Sequence, residues 1–134
     1  QLAVIRRMVL DLNMNVEIVG CPIVRESDGL AKSSRNTYLS PAERKAALVL
    51  SKSIFAGKQL AEAGETDAAK LVQAMTKIIE AEPLAKIDYV KVVDLMTMQQ
   101  IPKLDRPFLA AIAVYIGKTR LIDNFMMQAG GTAE

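Results

Sequence analysis

Residues 108–125 read FLAAIAVYIGKTRLIDNF. The run from Phe108 to Ile116 is apolar apart from one phenol, Gly117-Lys118 follows, and Thr119 to Phe125 is again rich in branched and apolar residues. A two-residue turn with glycine first suits type II′ geometry, which matches the twist of the strands it joins. The stretch therefore predicts a long strand, a tight turn and an antiparallel return. Gly117-Lys118-Thr119 also resembles the end of a phosphate-binding P-loop. That motif needs another glycine at position 112, which is Ile, and a helix afterwards, so the turn reading stands. On the return strand, the polar residues of Arg120-Leu121-Ile122-Asp123-Asn124 are expected to make a local ion pair or turn bond.

Upstream, Ile87 to Leu95 is rich in Val, Ile and Tyr and predicts a third strand, joined to the hairpin by a charged connection, 96–107, that holds Pro102 and Pro107. Two helices precede it. Ser40-Pro41-Ala42-Glu43 has the residues of a capping box, with proline at the first helical position, and predicts a helix running to about Ala63 before Gly64 stops it. Thr66 is expected to cap a second helix whose Leu71, Val72, Met75, Ile78 and Ile79 share one face, until Pro83 ends it. Two helices and three antiparallel strands make a small α+β domain from residue 23 onward. The tail, 129–134, is expected to fray.

The first 20 residues differ. Leu2, Ile5, Val9 and Leu12 recur at helical spacing, and Val16-Glu17-Ile18-Val19 reads as a short strand ending at Gly20 and Pro22. A helix followed directly by a strand is expected to be the last unit of an α/β sheet, and alone it exposes an apolar face and unpaired edges.

Composition limits the chemistry. The 134 residues suit one ordinary domain, and the 51% hydrophobic fraction is supplied mainly by aliphatic residues, with 4% aromatic and no Trp. A net charge of +2 argues against nucleic acid or an anionic membrane as partner, and no apolar run reaches the roughly 18 residues that span a bilayer. The chain reads as soluble and cytoplasmic. Cys21 is alone, which excludes an internal disulfide, and is expected to be a small apolar core residue. With no histidine present, a zinc site and a Cys/His nucleophile pair are both excluded, and chemistry here must rest on positioning and charge.

The loop between the opening segment and the first long helix, DGLAKSSRN from Asp28 to Asn36, is the candidate site. Lys32, Ser33, Ser34 and Arg35 bring an ammonium, two hydroxyls and a guanidinium fork together, the donors a polyphosphate needs. On residue chemistry alone a solvated connection stays open beside an anion site.

Taken together, VGCPIVRESDGLAKSSRNTYLSPAER (19–44), DYVKVVD (88–94) and GKTRLIDN (117–124) resemble the C-terminal part of the pantothenate synthetase (pantoate–beta-alanine ligase) family, over essentially the whole chain. Family members are nucleotidyltransferases that join a histidine-bearing Rossmann-like domain to a serine and basic loop related to the KMSKS signature. The resemblance implies that pantoate attacks the α-phosphorus of ATP, carried with Mg2+, and that the amine of beta-alanine then displaces AMP. It implies that Ser33, Ser34 and Arg35 are catalytic, that Lys32 binds ATP with them, that the backbone of Val24 meets the adenine, and that Gln1 binds pantoate. Lys32 stands where the family usually has Met or Leu. Residues 1–22 are then expected to be the end of the nucleotide domain and residues 23–134 a lid domain. The histidine motif and other pantoate groups are expected in a missing N-terminal domain, and the intact protein is expected to be a homodimer. The alternative is a non-catalytic interaction domain that binds a protein partner or self-associates through residues 2–19.

Overall fold

The computed structural model describes residues 1–128. Three strands, β1 (Ala85–Asp94), β2 (Phe108–Ile116) and β3 (Thr119–Met127), form one antiparallel sheet in the order β1-β2-β3. The hairpin forms as the sequence predicts. Gly117 has φ +59°, Ile116 pairs with Thr119, and the ladder runs to Phe108 opposite Met127. β1 and β3 are each slightly longer than expected. A register irregularity lies between Ile87 and Tyr89 where β1 pairs with β2.

One face of the sheet is sealed by two helices, α3 (Leu48–Glu62) and α4 (Ala68–Glu80). Ala110, Ile112, Val114 and Ile116 from β2 meet Leu50 and Ile54 from α3 and Leu71, Met75 and Ile79 from α4 in a single core. Phe108 and Phe125 close its end in an edge-to-face contact, centroids 6.0 Å apart at 78°. Ser53, fully buried in α3, donates its hydroxyl to the Met75 carbonyl at 3.2 Å, so this buried polar group is satisfied across the helix pair.

The first long helix is in fact two. The capping box forms as read, with both reciprocal Ser40–Glu43 bonds, but the short α2 (Pro41–Ala46) ends at Ala47 and α3 begins at Leu48. Ala47 keeps helical dihedrals, and the Leu50 N–H bonds the Ala47 carbonyl at 3.1 Å, a three-residue spacing that tightens the backbone where the α ladder is interrupted. The cap of α4 also shifts by one residue. Asp67 rather than Thr66 accepts the Ala69 N–H, at 2.8 Å, while the Thr66 carbonyl accepts from Leu104 in the β1–β2 connection. A carboxylate at a helix N-terminus is favoured over a hydroxyl by the helix dipole.

The opening segment contributes no residue to the core. α1 (Leu2–Asp11) forms, yet buries none of its residues, and Val4, Met8, Leu10 and Leu12 are exposed. Val16–Val19, expected as a strand, belongs to no ladder among the described residues. An isolated strand has no partner for its N–H and C=O groups and does not hold by itself. Cys21, expected in the core, is exposed for the same reason: no layer covers this segment. The tail at 129–134 lies outside the described residues. Among those described, no helix is long and apolar enough to cross a membrane.

The close approach of α3 to α4 depends on Gly57, where an added Cβ would stand 2.7 Å from the Met75 sulfur and 2.9 Å from its Cγ. In an open helix, glycine to alanine gains about 1 kcal/mol. Here Gly57→Ala should instead destabilise by about 1 to 3 kcal/mol through overpacking, read as a lower denaturation midpoint.

Candidate nucleotide-binding site

The segment before the serine pair is not a free loop but a small hairpin. The Lys32 N–H donates to the Val24 carbonyl at 2.9 Å, the Glu26 N–H to the Leu30 carbonyl at 2.8 Å, and the Gly29 N–H to the Glu26 carbonyl at 2.9 Å. Gly29 takes φ +97°, which glycine adopts without the penalty a side chain carries, and Leu30 drops into the core. These bonds were hidden in the sequence because the two short arms lack the alternation that marks a strand.

Ser33 then caps a 3-10 helix, Ser34–Tyr38, accepting the Arg35 N–H on Oγ at 3.2 Å. Thr37 donates its hydroxyl to the Ser34 carbonyl at 2.7 Å. Asn36 braces the turn from below, its Nδ2 donating to the Ala31 carbonyl at 3.0 Å, while its Oδ1 is buried with no partner. The outcome is a fixed backbone beneath four exposed polar side chains, Lys32, Ser33, Ser34 and Arg35.

Lys32, Ser33 and Arg35 line a cavity of about 280 Å³ whose opposite wall is β3, with Arg120 and Asn124. Ser34 does not line it. Arg120, not anticipated at this site, is held by Asp88 at 2.9 Å, and this hydrogen bond keeps its guanidinium above the ordinary arginine range. Val24 lies one hydrogen bond from Lys32, and its side chain is exposed. Gln1 is elsewhere, on a larger cavity of about 830 Å³ between the opening segment and the outer sheet face, where Lys58 and Lys91 also stand. Thus the structure gathers three of the expected phosphate residues in one hollow and puts Gln1 in the adjoining one; the two hollows share Ile23, Ile122, Asp123 and Asn124. Among the described residues, no group of three His, Cys, Asp or Glu comes together to hold a metal ion.

The polar residues of β3 make one local bond, the Asn124 N–H donating to Asp123 Oδ1 at 2.8 Å, but their ion pairs reach outside the strand. Asp123 takes a two-point ion pair with Arg25 at 2.7 and 2.9 Å, and Arg120 goes to Asp88. Strand parity carried a signal for this. Asp123 shares its face with the buried Leu121 and Phe125, and an inward carboxylate requires a cation from outside the strand.

A sequence profile of the family described as pantoate-beta-alanine ligase matches residues 1–126. The chain belongs to the pantoate–beta-alanine ligase family. Its relatives include the pantothenate synthetases of Ruminiclostridium cellulolyticum, 64% identical over 125 residues, and Clostridium novyi, 58% identical over 130 residues. These alignments cover 93% and 97% of this chain but 44% and 46% of the relatives, so the chain spans less than half their length. Among solved structures, the pantothenate synthetase of Thermus thermophilus superposes with a TM-score of 0.82 at 41% identity, over 92% of this chain and 44% of that one. The pantoate-beta-alanine ligase of Francisella tularensis, complexed with beta-gamma ATP and beta-alanine, gives 0.57 at 27% identity, over 98% of this chain and 41% of that one.

A second ion pair ties the hairpin tip to α2. Arg44 Nη2 lies 2.9 Å from Asp28 Oδ2, and the Arg44 hydrogen bond holds the Asp28 carboxyl below its ordinary value, with a lesser contribution from the Leu30 N–H. A carboxyl lowered in the folded state contributes stability that is present above its unfolded value and is lost as pH falls through the folded one. The Asp28 side-chain carbon, followed by NMR, should therefore titrate with a midpoint below 3.8, and Arg44→Met should bring it back toward 3.8.

Proposed function

We propose that this chain is the C-terminal portion of an ATP-dependent ligase that joins pantoate to beta-alanine. Residues 1–22 are the end of its Rossmann-like nucleotide domain, and residues 23–134 are the lid that closes over ATP. The observation carrying this reading is the convergence of Lys32, Ser33 and Arg35 on one hollow above a hydrogen-bonded turn, in a chain of this family. Exposed apolar residues on α1 fit a helix that packs against further sheet in a longer protein.

In the first step the pantoate carboxylate attacks the α-phosphorus, and the bond to the leaving pyrophosphate breaks. Ser33, Ser34 and Arg35 are the catalytic groups, donating to the phosphate oxygens as negative charge shifts onto the leaving group. Lys32 adds a cation beside them, the backbone of Val24 meets the adenine edge, and Gln1 holds pantoate. Bound with the nucleotide, Mg2+ would add its charge to that of Lys32 and Arg35 in neutralising the phosphates. In the second step the beta-alanine amine attacks the acyl carbon of pantoyl adenylate and AMP leaves.

The nucleophile of the first step is already an anion, so no histidine is needed in this half to remove a proton. Alignment and charge neutralisation are what the loop supplies. Closing the lid excludes water and protects the mixed anhydride from hydrolysis. The intact enzyme acts in the cytoplasm as a homodimer; the chain alone does not catalyse.

The test joins this chain behind the N-terminal part of the Ruminiclostridium cellulolyticum pantothenate synthetase and measures pantothenate and AMP. The chimera should be active, and Arg35→Ala should lower kcat by about 100-fold or more, as loss of one donor to a developing charge does. Full activity with alanine at 33, 34 and 35 together would sink the assignment. ATP titrated calorimetrically into the 134-residue chain should bind more weakly than micromolar, because half of the cleft is absent; micromolar binding would mean that the site is misplaced.

A further inference from the structure

Resting on the reading of Lys32 to Arg35 as a polyphosphate loop, we propose that Arg25 and Asp123 are a positioning pair that fixes this loop over the nucleotide's phosphates. Arg25 Nη1 donates to Asp123 Oδ2 at 2.7 Å and Nη2 to Oδ1 at 2.9 Å, a two-point contact that fixes orientation as well as distance. Oδ1 also accepts the Asn124 N–H at 2.8 Å. The Arg25 side chain is 19% exposed and that of Asp123 is 1% exposed.

The guanidinium touches three separate parts of the fold. Asp123 belongs to β3, the wall facing the loop across the 280 Å³ hollow. The Gly29 carbonyl, which accepts from Nη1 at 3.1 Å, belongs to the hairpin tip, and the Phe55 ring, 5.0 Å beneath the guanidinium carbon, belongs to α3. Arg25 itself is bridged to Ala31, immediately before Lys32. One side chain therefore sets the hairpin that delivers Lys32, Ser33 and Arg35 against the strand that carries Arg120 and Asn124.

Stability does not explain such a pair. A buried ion pair often contributes no more than apolar residues of the same volume, because the charges lose their hydration. What apolar residues do not reproduce is directional, two-point registration between the arms of a site. Both charged groups are spent on each other and on the scaffold, so the effect assigned to the pair passes through the loop.

The double variant Arg25→Met/Asp123→Leu removes both charges at similar volume. In the 134-residue chain it should keep or raise the melting temperature while the Lys32 amide exchanges its hydrogen about tenfold faster, because the bond to Val24 loses its brace. In the active chimera it should raise the KM for ATP, by up to about 100-fold, and leave the KM for beta-alanine near its original value. A pair with a merely structural role would move stability, or both KM values alike. Equal shifts, or an unchanged ATP KM, would overturn the proposal. Should the double variant fail to fold, Arg25→Lys, which keeps the charge and loses the fork, should show the same selective rise in ATP KM to a smaller degree, and no rise refutes the pair's role. An inactive parent chimera counts against the ligase reading itself; amide exchange then decides the positioning claim, and an unchanged Lys32 rate overturns it.

Discussion

Burial of the middle strand is the constraint on which the molecule depends. β2 is hydrogen-bonded on both edges and covered on one face by α3 and α4, with Ala110, Ile112, Val114 and Ile116 at or near zero exposure. Removing this apolar surface from water holds the helices to the sheet. Every element of the candidate site is fixed to something that touches this strand: the hairpin of residues 24–32 through Leu30 in the core, the serine turn through that hairpin, and Arg120 and Asn124 through β3. The site rests on a dry foundation, while the groups it presents are wet.

The division of labour is unusual in one respect. The chain has no histidine, and the polar residues around the candidate site either present donors outward or tie backbone segments together. Lys32, Ser33, Ser34 and Arg35 belong to the first kind. Arg25, Asp28, Arg44, Asn36 and Asp123 belong to the second, and each is engaged with a partner far along the chain or across the loop.

Much of the fold was legible in the sequence because it is written in local terms. Apolar runs, a glycine turn and a capping box located the hairpin, the sheet and the start of α2. What was not legible depends on partners distant in sequence. Val16–Val19 has strand composition but no neighbour to pair with, and Cys21 has a core preference but no layer above it. The break at Ala47 has no proline or glycine to announce it. Thr66 and Asp67 are both cap residue types, and the β1–β2 connection, which engages the Thr66 carbonyl, acts with the helix dipole in selecting Asp67. At the site, the polar, exposed character of 32–35 was legible in the residue types, whereas the opposite wall from β3 and the partner of Asp123 were visible only once the chain closed on itself.

The inward placement of Asp123 bears on how the sheet finds its alignment. Along β3, side chains alternate between the helix-covered face and the outer face, so a slip of one residue against β2 would turn Ile122 inward and carry the carboxylate outward. The exchange is costly in an asymmetric way. An aliphatic strand would tolerate the slipped pairing with little more than imperfect packing, but here the slip also strands the Arg25 guanidinium beside Phe55 without its anion. A single acidic residue thus acts as a keyed notch, admitting one alignment of the hairpin and rejecting its nearest competitor.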